Sequence, residues 1–207
     1  MNTQIQKNIS NTVKHQEDIL VIKTNILFPE GAWSGIRKEN LDQYYQIITK
    51  HQEFLPRYQM EQDESYKQII PYLVFQYKDQ YFLMQRSGTA SEKRLQNKFT
   101  LGIGGHIRKE DMEGKSIVDW AKREFHEEVI YQDDYEVEPF GIINDETSSV
   151  GRVHTGFVFL LRGKTNNIKI RSELKDGFLV NLDECKSYKE KMETWSSTIL
   201  EEIEKQI

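Results

Sequence analysis

The segment Arg123-Glu124-Phe125-His126-Glu127-Glu128 puts three carboxylates and a guanidinium within six residues. On a helix turning 100° per residue, Ile117, Ala121, Phe125 and Val129 form one apolar stripe, with Val118 in the same arc. That stripe must face a core. Glu128 falls inside the arc, Glu124 on its border, and Glu127 just beyond it on the Glu124 side. Three carboxylates gathered at the edge of a buried face cost desolvation and like-charge repulsion. A hard divalent cation such as Mg²⁺ relieves both, because it prefers carboxylate oxygen ligands. The plainer alternative is a solvated, Glu-rich helix face. With each charged type at ~6% usage, Arg-Glu-apolar-x-Glu-Glu arises by chance in on the order of one such chain in a thousand.

Paired glycines stand upstream, in Gly104-Gly105-His106. Together with the helix, this pattern resembles the Nudix box, a glycine loop followed by a helix reading Arg-Glu-apolar-x-Glu-Glu. The resemblance extends over roughly residues 68–207. It implies an α/β/α sandwich around a mixed sheet. It also implies Mg²⁺ or Mn²⁺ held by Glu124, Glu127 and Glu128, with help from a backbone carbonyl of the paired glycines such as Gly104. Two departures stand out. The loop from Gly105 to Arg123 is longer than the usual box by four residues. The family's loop glutamate, which orients the arginine, falls at Lys115, and Glu110, Asp111 and Glu113 are open replacements. The usual glycine after the Glu-Glu pair is replaced by Ile130. The phrases Lys67-Gln68-Ile69-Ile70-Pro71, Gly102-Ile103-Gly104-Gly105-His106-Ile107 and Glu193-Thr194-Trp195-Ser196 resemble Nudix proteins described only as predicted phosphoesterases.

The chemistry this implies is hydrolysis of a phosphoanhydride in a nucleoside-diphosphate-type or related small molecule. A metal ion neutralises phosphate oxygens and lowers the pKa of a water. One carboxylate then accepts the water proton, and Glu127, Glu128 and Glu173 are all candidates. Arg123 supports the helix carboxylates. Arg86, at the end of a strand, stands where the family often has an arginine near substrate phosphates. His106, Arg152 and His154 are weaker candidates to line the cleft, while His126 is expected in solvent. The rival class is a nucleotide-binding or regulatory module that does not hydrolyse its ligand, but such modules often lose the helix glutamates. An isomerase of isoprenoid diphosphates needs a well-placed cysteine, and Cys185 lies far from the box.

Elements must hold these residues in place. Ile19–Ile22 reads as a strand, and Lys38–Gln52 as a helix. Strands at Ile69–Tyr77 and Tyr81–Gln85 form a hairpin around Lys78-Asp79-Gln80. Ser87–Asn97 reads as a polar loop, and Tyr58–Lys67 as a polar connection. Gly114 and the capping residue Ser116 open the helix, which is expected from Ile117 to Ile130. Strands follow near Val137–Ile143, Gly156–Arg162 and Gly177–Val180. A last helix carries Trp195, Ile199 and Ile203 as a core stripe, with Glu202 on its solvent side. Strands mixed with helices predict α/β layers around a mixed sheet. Residues 1–65 are expected as an extension packed on a 66–207 Nudix domain.

The chain has 207 residues and 37% hydrophobic residues, enough for a sizeable core. A net charge of -5 gives no reason to expect nucleic-acid binding. The single cysteine excludes an internal disulfide. The polar first ten residues carry no signal-peptide pattern, and no apolar run reaches membrane-spanning length. A cytoplasmic location, a small-molecule partner and an optional homodimer are the resulting expectations.

Overall fold

The computed structural model describes residues 17–86, 97–111, 116–171 and 174–206. The first part of the chain runs β1 (Asp18–Lys23), α1 (Thr24–Leu27), β2 (Gly35–Arg37), α2 (Leu41–His51), β3 (Glu53–Pro56) and α3 (Arg57–Met60). The hairpin β4 (Tyr66–Tyr77) and β5 (Gln80–Arg86) comes next, then β6 (Phe99–Thr100) and β7 (Gly102–Gly104). After α4 (Ile117–Glu128) come β8 (Val129–Ile130), β9 (Tyr135–Asn144) and β10 (His154–Gly163). The chain closes with β11 (Lys169–Ile170), β12 (Leu174–Asn181), α5 (Leu182–Ser187) and α6 (Thr194–Glu204).

Among the described residues ten strands share one sheet, with the order β12-β5-β4-β10-β9-β2 and with β1, β3, β6 and β7 attached beside that path. The sheet is mixed because β10 runs parallel to β4 while its other neighbours are antiparallel. Side chains alternate across it with period two. Ile69, Leu73 and Phe75 of β4, with Phe157, Phe159 and Leu161 of β10, join Ile117, Trp120, Ala121 and Phe125 of α4 in one cluster. Tyr72 and Val74, with Val158 and Leu160, join Cys185, Ile199, Leu200 and Ile203 in the other. These are the two apolar interiors of an α/β/α fold. Burial pushes the Cys185 thiol up to about 12, so it packs as an apolar group.

The N-terminal region is joined to this sheet by backbone pairing. β1 pairs with β3 on one side and with β4 on the other. Leu20 and Ile22 enter the cluster beneath α4. The amide of Leu20 donates to the Ile107 carbonyl at 2.8 Å, so β1 also fixes the chain just after the paired glycines.

Several local expectations need correction. The Tyr58–Lys67 connection contains one turn of helix and the start of β4. Helix α4 stops at Glu128, and Val129-Ile130 turns into a short strand against β11. Val129 is therefore buried through strand geometry rather than as part of the helical stripe. Glu202 is not a free solvent residue: it pairs with Lys38 at 3.0 Å and Lys205 at 3.1 Å, tying α6 to the segment before α2. The first ten residues, most of the Ser87–Asn97 loop and Gly114 lie outside the described residues. Among the described residues, no helix is long and apolar enough to cross a membrane.

Candidate active site

Helix α4 starts from a capping box, in which the Ser116 hydroxyl accepts from the Asp119 amide and the Asp119 side chain accepts from Ser116. Its apolar residues bury against the sheet and so rotate the carboxylates to one edge. Glu124 has a side chain 14% exposed, whereas Glu127 is 56% exposed. Glu128, which the helical wheel placed inside the apolar arc, is partly buried. Glu128 is the last helical residue, where the backbone departs toward β8.

Arg123 bridges two of these carboxylates. Its Nη2 donates to Glu124 Oε1 and its Nη1 to Glu127 Oε1, both at 2.6 Å. Burial raises Glu124 to about 7, an effect that Arg123 opposes and that Glu127 and Glu128 reinforce. Gly105 closes over the same carboxylate. A Cβ added there would lie 2.1 Å from Glu124 Oε2, so only glycine allows this approach. Gly104 sits in β7 opposite Tyr72 of β4. Among the open replacements for the box glutamate, Glu110 is exposed and lies 3.8 Å from Arg108. Lys115, Glu113 and the Asp111 side chain lie outside the described residues, as does Glu173. Next to Glu173, the Arg171 amide donates to the Glu128 carbonyl and Leu174 pairs with Arg86.

A cavity of about 240 Å³ opens beside the glycines. Gly104, Gly105, Arg57, Arg86 and Lys98 line it, with His106, His154 and Trp195. Gly105 belongs to both regions, because it lines the cavity and abuts Glu124. Arg86 at the end of β5 is largely buried and pairs with Glu193. Burial lowers its pKa, but Glu193 more than compensates, with smaller help from Tyr72 and Glu128, so the guanidinium remains charged.

The segment Glu193–Ser196 holds this wall together. The Glu193 amide donates to the Phe99 carbonyl at 2.9 Å. Ser196 Oγ accepts from the Leu101 amide and lies 2.9 Å from Tyr72 Oη, which also contacts Thr100 Oγ1 at 2.9 Å. Burial pushes the Tyr72 hydroxyl up to about 12, so it stays protonated. Trp195 is partly buried where Ile199 and Ile203 are buried: it packs on the same core cluster, edge-on against Tyr72, lies over Gly156 and also lines the cavity.

The weaker histidine candidates divide. His106 and His154 meet in the cavity, with Nε2 atoms 3.3 Å apart. Arg152 turns out to Glu64 at 2.7 Å, and His126 lies exposed beside Tyr135. Glu61, which the sequence reading did not single out, joins the two histidines from the end of α3. No spacing in the sequence links these three residues.

Similarity to other proteins extends over nearly the whole chain. Protein YmaB of Bacillus subtilis (strain 168) is 33% identical over 208 aligned residues, covering 92% of this chain and 99% of that protein. The crystal structure of Tm1382, a candidate Nudix hydrolase, matches with a TM-score of 0.78 and 31% identity over 92% of this chain and all of that one. The Nudix domain of Shewanella oneidensis NrtR, solved with ADP ribose, shares the fold at a TM-score of 0.54 and 14% identity, over 68% of this chain and 88% of that one. No protein-family model matches the chain.

Proposed function

The chain belongs to the Nudix hydrolase family, and from that premise we propose that it hydrolyses a phosphoanhydride bond in a nucleoside-diphosphate-type or related small molecule, with Mg²⁺ or Mn²⁺. The observation that carries this reading is the buried Glu124 carboxylate, closed over by Gly105 and flanked by Glu127 and Glu128. A neutral core would not select a carboxylate there, whereas a hard cation takes oxygen ligands of this kind. The space a Cβ would take at Gly105 is filled by the Glu124 carboxylate, which brings that oxygen donor against the glycine backbone. Glu124, Glu127 and Glu128 would hold the ion, with the Gly104 carbonyl as a further oxygen donor. When bound, such an ion supplies charge neutralisation at the phosphate oxygens and acidifies the attacking water.

The chain's own residues supply the rest. Arg123 holds Glu124 and Glu127 in fixed orientation through its two short hydrogen bonds. Arg86, kept charged by Glu193, gives the cavity a positive wall for a phosphate. Trp195 and Tyr72, packed edge-on, line the same cavity. Glu127, Glu128 and Glu173 are the candidates to accept the water proton.

The test is a panel of nucleoside triphosphates, dinucleotides, nucleotide sugars and coenzymes with Mg²⁺ and Mn²⁺. Phosphatase coupling and phosphate release read the cleavage. Metal-dependent turnover of one class is expected. Tight binding of an intact nucleotide, with no metal-dependent cleavage across the panel, would instead make this a binding module.

A further inference from the structure

We propose that Glu61, His106 and His154 form a second metal site, selective for a transition-metal dication of the Zn²⁺ type and separate from the helix carboxylates. One ligand atom from each residue lies within 4.8 Å of the others. All three side chains line the same cavity, which gives an ion an entry path. Two imidazoles and one carboxylate make a mixed nitrogen and oxygen set with a single negative charge. Imidazole favours Zn²⁺ and its neighbours, whereas the all-oxygen edge of α4 favours Mg²⁺ or Mn²⁺.

The separation of the two imidazoles fits such an ion. Zn–N bonds of about 2.0–2.1 Å in a tetrahedron put adjacent nitrogens roughly 3.3–3.4 Å apart. His154 Nε2 and His106 Nε2 are 3.3 Å apart. Pulling Glu61 inward by a rotamer adjustment completes three ligands and leaves the fourth position toward the cavity, as in open zinc sites.

The surrounding hydrogen bonds orient the ligands. His154 Nδ1 lies 2.7 Å from the Val150 carbonyl, which can only accept, so Nδ1 carries the proton and Nε2 presents its lone pair. Arg57 Nε holds one Glu61 oxygen at 3.2 Å. Gln68 donates its amide to the Met60 carbonyl at 3.1 Å and so turns its oxygen to His106 Nε2 at 2.7 Å. In the metal-free protein His106 Nε2 therefore donates its proton to Gln68. A metal at that nitrogen requires the ring's other neutral tautomer, with the proton on Nδ1 and the Gln68 oxygen released from Nε2.

The ligands come from three separate parts of the chain. Glu61 follows α3, His106 follows the paired glycines, and His154 opens β10 in register with Gln68 of β4. A bound ion would add a second positive centre to the cavity that Arg86 and Gly105 also line.

The experiment is calorimetric titration of the metal-stripped, full-length protein with Zn²⁺. It compares the parent with His154→Ala, Glu61→Gln and the Glu127→Gln/Glu128→Gln double variant. The expected result is a Zn²⁺ site that survives in the double variant and weakens at least ~10-fold in the other two. X-ray absorption at the zinc edge should then show imidazole nitrogens at about 2.0–2.1 Å. Thermal melts verify folding. If His154→Ala does not fold, Glu61→Gln decides, because that residue is only partly buried at a helix end. Absence of Zn²⁺ binding overturns the site. So does Zn²⁺ binding that disappears in the double variant yet stays unchanged in Glu61→Gln.

Discussion

The acidic edge of α4 and the histidine wall of the cavity meet around three consecutive residues, Gly104-Gly105-His106, but they are built in different ways. The acidic edge comes from one helix. Its carboxylates are neighbours because 3.6 residues make a turn, and Phe125 and Ala121 fix which way they face. The histidine wall comes from three distant segments brought together by strand pairing. The helix can keep its local arrangement if the sheet loosens. The wall cannot, because the register of β10 on β4, the hold of β1 on Ile107 and the bond from Gln68 to Met60 bring its parts together.

The most severe way to break this contrast is to delete residues 1–60. Ile19, Leu20, Val21 and Ile22 are each at most 1% exposed. At roughly 1.5–3 kcal/mol per buried aliphatic side chain, their loss removes about 6–12 kcal/mol. That is comparable to a whole domain's net stability of about 5–15 kcal/mol. The truncated chain is therefore expected to lose its cooperative melting transition or its solubility, taking both regions with it. A truncation that melts like the parent would mean that β1 is dispensable and that the glycine loop holds itself in place.

Glu127→Gln separates the two regions through activity. The residue is 56% exposed and bound to Arg123 along the helix, so its removal should change stability by no more than about 1 kcal/mol. The same change removes a ligand or proton acceptor, and turnover on whichever substrate the panel identifies should fall by about 10²–10⁴-fold. Zn²⁺ binding at the histidine wall should not change. Retained turnover would move the base and the metal ligands elsewhere, with Glu128 and Glu173 next to be tested.

How each region is built also decides what could be read from the sequence. The acidic helix was legible because its chemistry and its packing signal occupy the same six residues. The strands β4 and β10 were legible from their β-forming residues, but their two faces were not, because both faces are buried and carry no polar–apolar alternation. The end of the helix was not legible, because the apolar stripe runs on to Val129 while the backbone leaves the helix at Glu128. Trp195 shares a four-residue spacing with Ile199 and Ile203, but only the sheet beneath it reveals that Gly156 leaves room for an indole beside the cavity. Glu202 looked solvent-facing for the same reason: Lys38 reaches it from the far end of the chain. Glu61 carried no local signal at all, since a lone glutamate in a polar stretch acquires its neighbours only through tertiary pairing.

The smallest of these effects tests the acidic edge without any substrate. Glu124 is raised from 4.5 to about 7 in the folded protein, mainly by burial. Between those values the folded state binds more protons at this group than the unfolded state does. Stability from this group is thus fully present below about 4.5 and is lost as pH rises through about 7. The loss is at most roughly 3.5 kcal/mol, at about 1.4 kcal/mol per pKa unit. Metal-free protein in chelator should therefore melt lower at pH 8 than at pH 5 by more than Glu124→Gln does, because the amide cannot ionise. Adding Mg²⁺ at pH 8 should restore the parent and leave the glutamine variant almost unchanged, since the ion stabilises only the state whose carboxylate it binds. Equal pH profiles for the two proteins in chelator would show that Glu124 reaches water more freely than its contact with Gly105 implies. A Mg²⁺ response that persists in the variant would place the ion on Glu127 and Glu128 alone.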